Sequence, residues 1–231
     1  MQQYLDKAKN VAKFMLDMPY ENIKDFEGIF IVHPFFNAII AADTKGLFNI
    51  EEEPDRFKEL KDNIRSRIDR CECVEDVMMM ILDSNKINFL YLLYSREVPA
   101  EICGNLLGGI WSTLENNDTQ EDFIKNAMRE WLIASDRTTY MTEEELELLQ
   151  NLPDKVTIYR GAQFDEPADG FCWSLKKSVG EWFANRFQNK RPVLYTATID
   201  KNDILFYTNS AEEEETVVDY TKIEKINVQK L

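Results

Sequence analysis

Val156-Thr157-Ile158-Tyr159-Arg160-Gly161 is where the chain changes character. Val156 and Ile158 alternate with Thr157 and Tyr159, which is the period of a strand covered on one face, and Gly161 predicts its end. Phe171 to Leu175 is a second short strand. Ser178 to Phe187 reads as a helix with Val179, Trp182, Phe183 and Phe187 on one face. Pro192 to Ile199 and Ile204 to Thr208 are strands joined by the turn Asp200-Lys-Asn-Asp203, and Thr216 to Tyr220 and Ile223 to Val228 complete the set.

Before Pro153 the period is helical. Tyr4, Ala8, Val11, Ala12 and Met15 mark an amphipathic opening helix. Pro54 stands at a first helical position after three glutamates, and Phe57, Leu60, Ile64 and Ile68 then predict a buried stripe. Val74 to Leu82, Ile87 to Tyr94 and Ala100 to Leu114 are further helices, the last interrupted at Gly108-Gly109. Gln120 to Ala134 follows the polar break Glu115-Asn-Asn-Asp-Thr119, and Thr142-Glu-Glu-Glu145 is a capping box opening a helix through Leu149. Ile29 to Phe48, which contains His33-Pro34, shows no legible period. Helices followed by strands predict an α+β fold rather than alternating βαβ units.

With 14 Phe, 9 Tyr and 4 Trp in 231 residues the chain can bury a core and offset its ordering entropy. No run approaches the roughly 18 apolar residues of a membrane span. The start, Met1-Gln-Gln-Tyr-Leu-Asp-Lys7, lacks the pattern of a classical signal peptide, so a cytoplasmic protein without membrane attachment is expected. Cys71, Cys73, Cys103 and Cys172 are scattered, which predicts neither a zinc site nor a disulfide framework. Charge is uneven: the first 150 residues hold 16 basic against 29 acidic residues, and the remainder 11 against 13. Such an acidic helical part repels a phosphate backbone and suits a basic protein partner, although acids of this kind also serve simply to keep a helical surface soluble.

Three segments carry chemistry: Tyr159-Arg160-Gly161 at a strand end, Gly170-Phe-Cys-Trp-Ser-Leu175 running into the helix with Glu181, and Glu212-Glu-Glu-Glu215 leading into Thr216-Val-Val-Asp219. Their order and spacing resemble the Arg–Ser–Glu class of ADP-ribosyltransferases, related to clostridial-type toxins and to transferases of phages. The resemblance covers roughly residues 130 to 231. It implies an acidic helical region over 1–135 and a split β-core over 136–231 that binds NAD as substrate. The implied reaction is mono-ADP-ribosyl transfer to a macromolecular acceptor, without metal and with release of nicotinamide; the charge favours a protein over a nucleic acid as acceptor.

The resemblance also implies roles. Arg160 would hold the NAD pyrophosphate with its planar charged fork. Glu215 would stabilise the positive charge that builds on the ribose as the nicotinamide bond breaks. Glu213, two residues away and on the same side of an extended strand, would position or deprotonate the acceptor. Ser174 would help fix the catalytic glutamate, with Gly161 beside Arg160 and with Tyr159 and Trp173 as aromatic walls for the cofactor. The run of four glutamates also admits Glu212 and Glu214 as the pair; the match of Glu-x-Val-Val-Asp selects Glu213 and Glu215. The family's Ser-Thr-Ser strand reads Cys172-Trp173-Ser174 here, a departure at its first serine.

His33 is the sole histidine and lies far from these segments, which argues against the His–Tyr–Glu class of the same superfamily and against histidine triads. Met78-Met-Met80 reads as adaptable core. Two alternatives remain open: an NAD glycohydrolase that uses water as acceptor, and a non-enzymatic interaction or inhibitor protein with a decayed transferase core, working through its acidic helical face.

Overall fold

The computed structural model describes residues 2–23, 29–114, 121–163, 168–186, 191–210 and 212–231. It is a mixed helix-and-sheet chain, helices first and the large sheet last, consistent with an α+β fold. It divides into two compact units, Met1–Cys103 and Gly104–Leu231. That division falls well before the expected one between 135 and 136. The helices after Gly104 pack on the sheet-bearing part: the backbone around Trp131 closes on Gly104, and Trp111 lies against Phe171 and Phe206.

In the first unit, α1 (Leu5–Leu16) buries Leu5, Ala8, Val11, Ala12, Met15 and Leu16, a spacing that lines one helical face. The stretch without a legible period forms two-stranded ribbons, β1 (Glu21–Asn22) with β2 (Ile31–Val32) and β3 (Ile40–Asp43) with β4 (Gly46–Asn49). The second ribbon turns at Gly46, whose φ of 112° only glycine adopts without strain. Ile31, Ala41, Phe48 and Ile50 form a small core there, covered by Phe36, Phe57 and Leu60. This cluster explains a correction to the expected stripe on α2 (Pro54–Arg70). Only Ile68 is buried, while Phe57, Leu60 and Ile64 are half-buried because α2 lies partly over a thin ribbon.

α3 (Val74–Met78) stops sooner than expected, α4 (Asp83–Tyr94) follows, and the unit ends at Cys103 within α5 (Ala100–Ile110). His33 is buried and accepts the Phe35 N–H at Nδ1 over 3.0 Å, a structural role; burial, then the charge of Lys61, lowers its pKa. All four cysteines are free thiols. Among the described residues no helix is long and apolar enough to cross a membrane.

α5 runs through Gly108 and Gly109 without interruption and ends in a tight turn, Trp111–Thr113. Gly108 is needed for packing, since a Cβ there would meet the Tyr140 ring at 2.6 Å. The break Glu115–Thr119 and Gln120 lie outside the described residues. α6 (Asp122–Ala134) follows, then α7 (Glu143–Asn151) behind the expected capping box of Thr142 and Glu145.

The sheet has six antiparallel strands. They are β5 (Lys155–Gln163), β6 (Cys172–Ser174), β7 (Pro192–Asp200), β8 (Ile204–Thr208), β9 (Glu215–Val218) and β10 (Glu224–Lys230), in the order β10-β7-β5-β6-β9-β8. β5 does not stop at Gly161 but pairs with β7 as far as Gln163. β7 and β8, although joined by only three residues, Lys201–Asp203, do not pair, and β8 forms the far edge beyond β9. The helix α8 (Lys177–Asn185) sits on β5. Its buried residues are Gly180 and Ala184; Val179 and Phe183 are half-buried and Trp182 is 56% exposed. Phe187 lies outside the described residues. The expected aromatic face is thus replaced by a small-residue face, because α8 approaches too closely for larger side chains. A Cβ on Gly161 would lie 1.9 Å from the Gly180 carbonyl oxygen.

Candidate functional site

The strand order brings three distant segments side by side: β5 next to β6, and β6 next to β9. Tyr159 pairs with Ser174, and Ser174 pairs with Glu215, so these three form one cross-strand row. Opposed residues in antiparallel strands share a face, which puts the three side chains together. Among the described residues Tyr159–Ser174 is the one pair joining β5 to β6, so the sheet's two three-stranded halves meet at the centre of the site.

Arg160 is one residue off the row, and alternation directs its stem to the opposite face. Its guanidinium reaches the neighbouring strand β6, where Nη1 donates to the Cys172 carbonyl over 2.9 Å. Gly161 lies under α8 and serves the close approach of that helix. Trp173 is 2% exposed and its Nε1 donates to the Gly170 carbonyl at 3.0 Å. Its ring is therefore packed in the interior, where the indole already has its partner, and Tyr159 is the half-buried aromatic. Cys172, at the departure from the Ser-Thr-Ser pattern, is half-buried on β6 opposite Val217.

Glu213 is a correction. It does not sit on the extended strand with Glu215, because β9 begins at Glu215 and the three glutamates before it form a turn. Glu212 and Glu214 have φ of 58° and 43°, left-handed values that cost a non-glycine residue roughly 1–3 kcal/mol each. Asn209 holds this turn: its carbonyl accepts the Glu212 N–H and its Oδ1 the Glu214 N–H, both over 3.0 Å. Glu145, at the start of α7, in turn accepts the Asn209 N–H over 3.0 Å.

Ser174 is buried and acts on the same turn. It accepts the Lys176 N–H (2.9 Å) and donates to the Glu213 carbonyl (2.7 Å), fixing main chain rather than a carboxylate. Glu214 is committed to an ion pair with Lys176 at 2.7 Å. Glu213 is half-buried; burial raises its pKa and the charge of Arg186 partly opposes that rise.

Two further residues shape the site that the sequence reading did not single out. The indole of Trp111 donates from Nε1 to Oε1 of Glu215 over 3.0 Å. Arg129 on α6 forks onto Asp219, just beyond β9, with Nε to Oδ1 at 2.6 Å and Nη2 to Oδ2 at 2.5 Å. Burial alone would raise the Asp219 pKa, but the hydrogen bonds from Arg129 and Thr221 outweigh it and hold the carboxyl below its ordinary value. Nothing in the local sequence marks either partner, since each meets its target only through the tertiary fold.

No family model matches this chain, and neither the curated proteins nor the solved structures yield a match.

Proposed function

We propose that this chain is an enzyme that cleaves NAD between nicotinamide and ribose and transfers the ADP-ribose to a macromolecular acceptor, a protein by preference. The observation that carries the reading is the cross-strand row Tyr159–Ser174–Glu215 where β5 meets β6, with Arg160 next to it in sequence and its guanidinium bonded to β6. Three short segments that resemble the Arg–Ser–Glu transferases are thereby neighbours. The two half-sheets meeting at one residue pair also agree with a split β-core.

In this reading NAD lies across this junction, its pyrophosphate on Arg160 and its nicotinamide ribose at Glu215. The bond from ribose C1′ to the nicotinamide nitrogen breaks, and nicotinamide leaves with the electron pair. Positive charge builds on the sugar, where the Glu215 carboxylate stabilises it. The lone pair of the acceptor then forms the new bond to C1′, and its proton passes to Glu213. A carboxyl whose pKa is raised by burial is the better base for that step.

One observation favours water as a competing acceptor. Glu213 stands in a turn ahead of the strand, so it does not share the extended face of Glu215 from which a large acceptor would be oriented.

The test is transfer of label from NAD tagged on its adenosine into a cell lysate, with nicotinamide release measured alongside and products digested by protease or nuclease. Labelled protein made by the wild type and not by Glu215→Gln supports the transferase. Nicotinamide release with free ADP-ribose and no labelled macromolecule assigns the glycohydrolase. No turnover of NAD by folded protein overturns both and leaves the acidic interaction protein.

A further inference from the structure

We infer that Trp111 is a positioning residue for Glu215, holding the carboxylate in one orientation through its indole N–H. The inference rests on Glu215 being the catalytic carboxylate, as proposed above, and it adds a working part from the helical segment that precedes the strand constellation.

The geometry is specific. Trp111 is 3% exposed and lies in the tight turn that ends α5, far in sequence from the strands. Its ring is clamped edge-on by two aromatics, Phe206 at 5.4 Å and Phe171 at 6.0 Å between centroids. Phe206, on β8, pairs with Val217 on β9, two residues from Glu215, so part of the clamp is built on the strand beside the one that carries the carboxylate. A ring held in this way cannot swing, and its one polar atom is spent on Glu215 Oε1 at 3.0 Å.

The chemical identity of the donor matters. Indole is donor-only and does not titrate, so it favours the carboxylate over the carboxylic acid without supplying a counter-charge. A lysine or arginine in its place would also orient Glu215, but would offset the negative charge that the developing cation on the ribose requires.

Two measurements test this, and the first needs no catalysis. In the full chain labelled with ¹⁵N, the indole N–H resonances of the four tryptophans are followed from pH 3 to 8. One resonance is expected to move with a single carboxylate titration, to lose that titration in Glu215→Gln, and to be missing in Trp111→Phe. If no indole resonance titrates in a way that Glu215→Gln abolishes, the inference is overturned, whether or not the chain turns over NAD.

The second measurement is the pH profile of nicotinamide release by Trp111→Phe, which keeps an aromatic ring in the clamp and removes the donor. The expected result is a fall in kcat of roughly 10- to 100-fold, the worth of a hydrogen bond to a charged group, with KM for NAD nearly unchanged. The acid limb of the profile moves to higher pH, a shift that looser packing alone would not produce. Wild-type kcat and an unmoved acid limb overturn the role. Full activity in Glu215→Gln overturns the transferase reading instead and leaves the indole titration to stand or fall by itself.

Discussion

Replacing Arg129 with methionine removes the fork from Asp219 while keeping most of the buried stem. Asp219 is 4% exposed and then holds an ionised carboxylate that, among the described residues, has only Thr221 to satisfy it, through N–H and Oγ1 at 3.1 and 2.7 Å. Removing one partner of a fully buried ion pair costs about 3–5 kcal/mol. The Arg129 side chain is 29% exposed, so water reaches part of the gap, and the cost falls to about 2–3 kcal/mol. In a unit of this size that lowers the unfolding midpoint by roughly 6–12 °C.

The pH dependence follows from Asp219, whose folded pKa lies below the ordinary 3.8. A carboxyl depressed in the folded state contributes stability above its unfolded pKa and loses it as pH falls through the folded value. The gap between wild type and Arg129→Met is therefore full at pH 7 and narrows below about pH 4. Urea unfolding followed by circular dichroism at pH 7 and again at pH 3.5 measures both effects. A variant within about 0.5 kcal/mol of wild type at pH 7, the scatter of ordinary surface changes, would refute the reasoning, as would a gap independent of pH.

Other outcomes follow from single contacts. Gly161→Ala should lose roughly 3 kcal/mol or fail to fold, because its Cβ would fall 1.9 and 2.3 Å from main-chain atoms of Gly180 and Ala184, leaving α8 no option but to lift from β5; chemical denaturation checks this. Thr142→Ala should cost about 1 kcal/mol by removing half of a capping box, read as a lower urea midpoint with unchanged slope. Cys103 is fully buried and its thiol is pushed up to about 12 by burial, so a thiol reagent at pH 8 should modify Cys71, Cys73 and Cys172 in the folded protein and reach Cys103 only in denaturant, as mass spectrometry would show.

Helices with a complete amphipathic pattern or a cap could be read from the residues alone. α1 needs six buried side chains on one face and has them at the required spacing, and α7 announces itself through Thr142 and Glu145. The strand alternation around Val156 and Pro192 was equally plain, since each strand has a covered face. What failed depended on neighbours. Gly161 reads as a strand end by local preference, yet here it serves the approach of α8 and β5 continues past it. Trp182 and Phe183 look like the buried face of a helix, but Gly180 and Ala184 permit a closer contact and win it.

At the site, the three segments of Tyr159, Ser174 and Glu215 were legible as strand segments, although Tyr159 lies in the middle of β5 rather than at its end. The turn at Glu213 was not, because its left-handed glutamates are held by Asn209 and Ser174 rather than by local preference. Trp111 and Arg129 were illegible for the same reason: their partners are about a hundred residues away.

The most direct test of the central claim compares two adjacent glutamates in one assay, nicotinamide release from NAD. Glu215→Gln removes the carboxylate in the row with Ser174, whereas Glu214→Gln removes the one paired with Lys176. The account predicts a loss of roughly 100- to 1,000-fold in kcat for Glu215→Gln and a change within about threefold for Glu214→Gln. An equal loss in both, or wild-type turnover by Glu215→Gln, would contradict it.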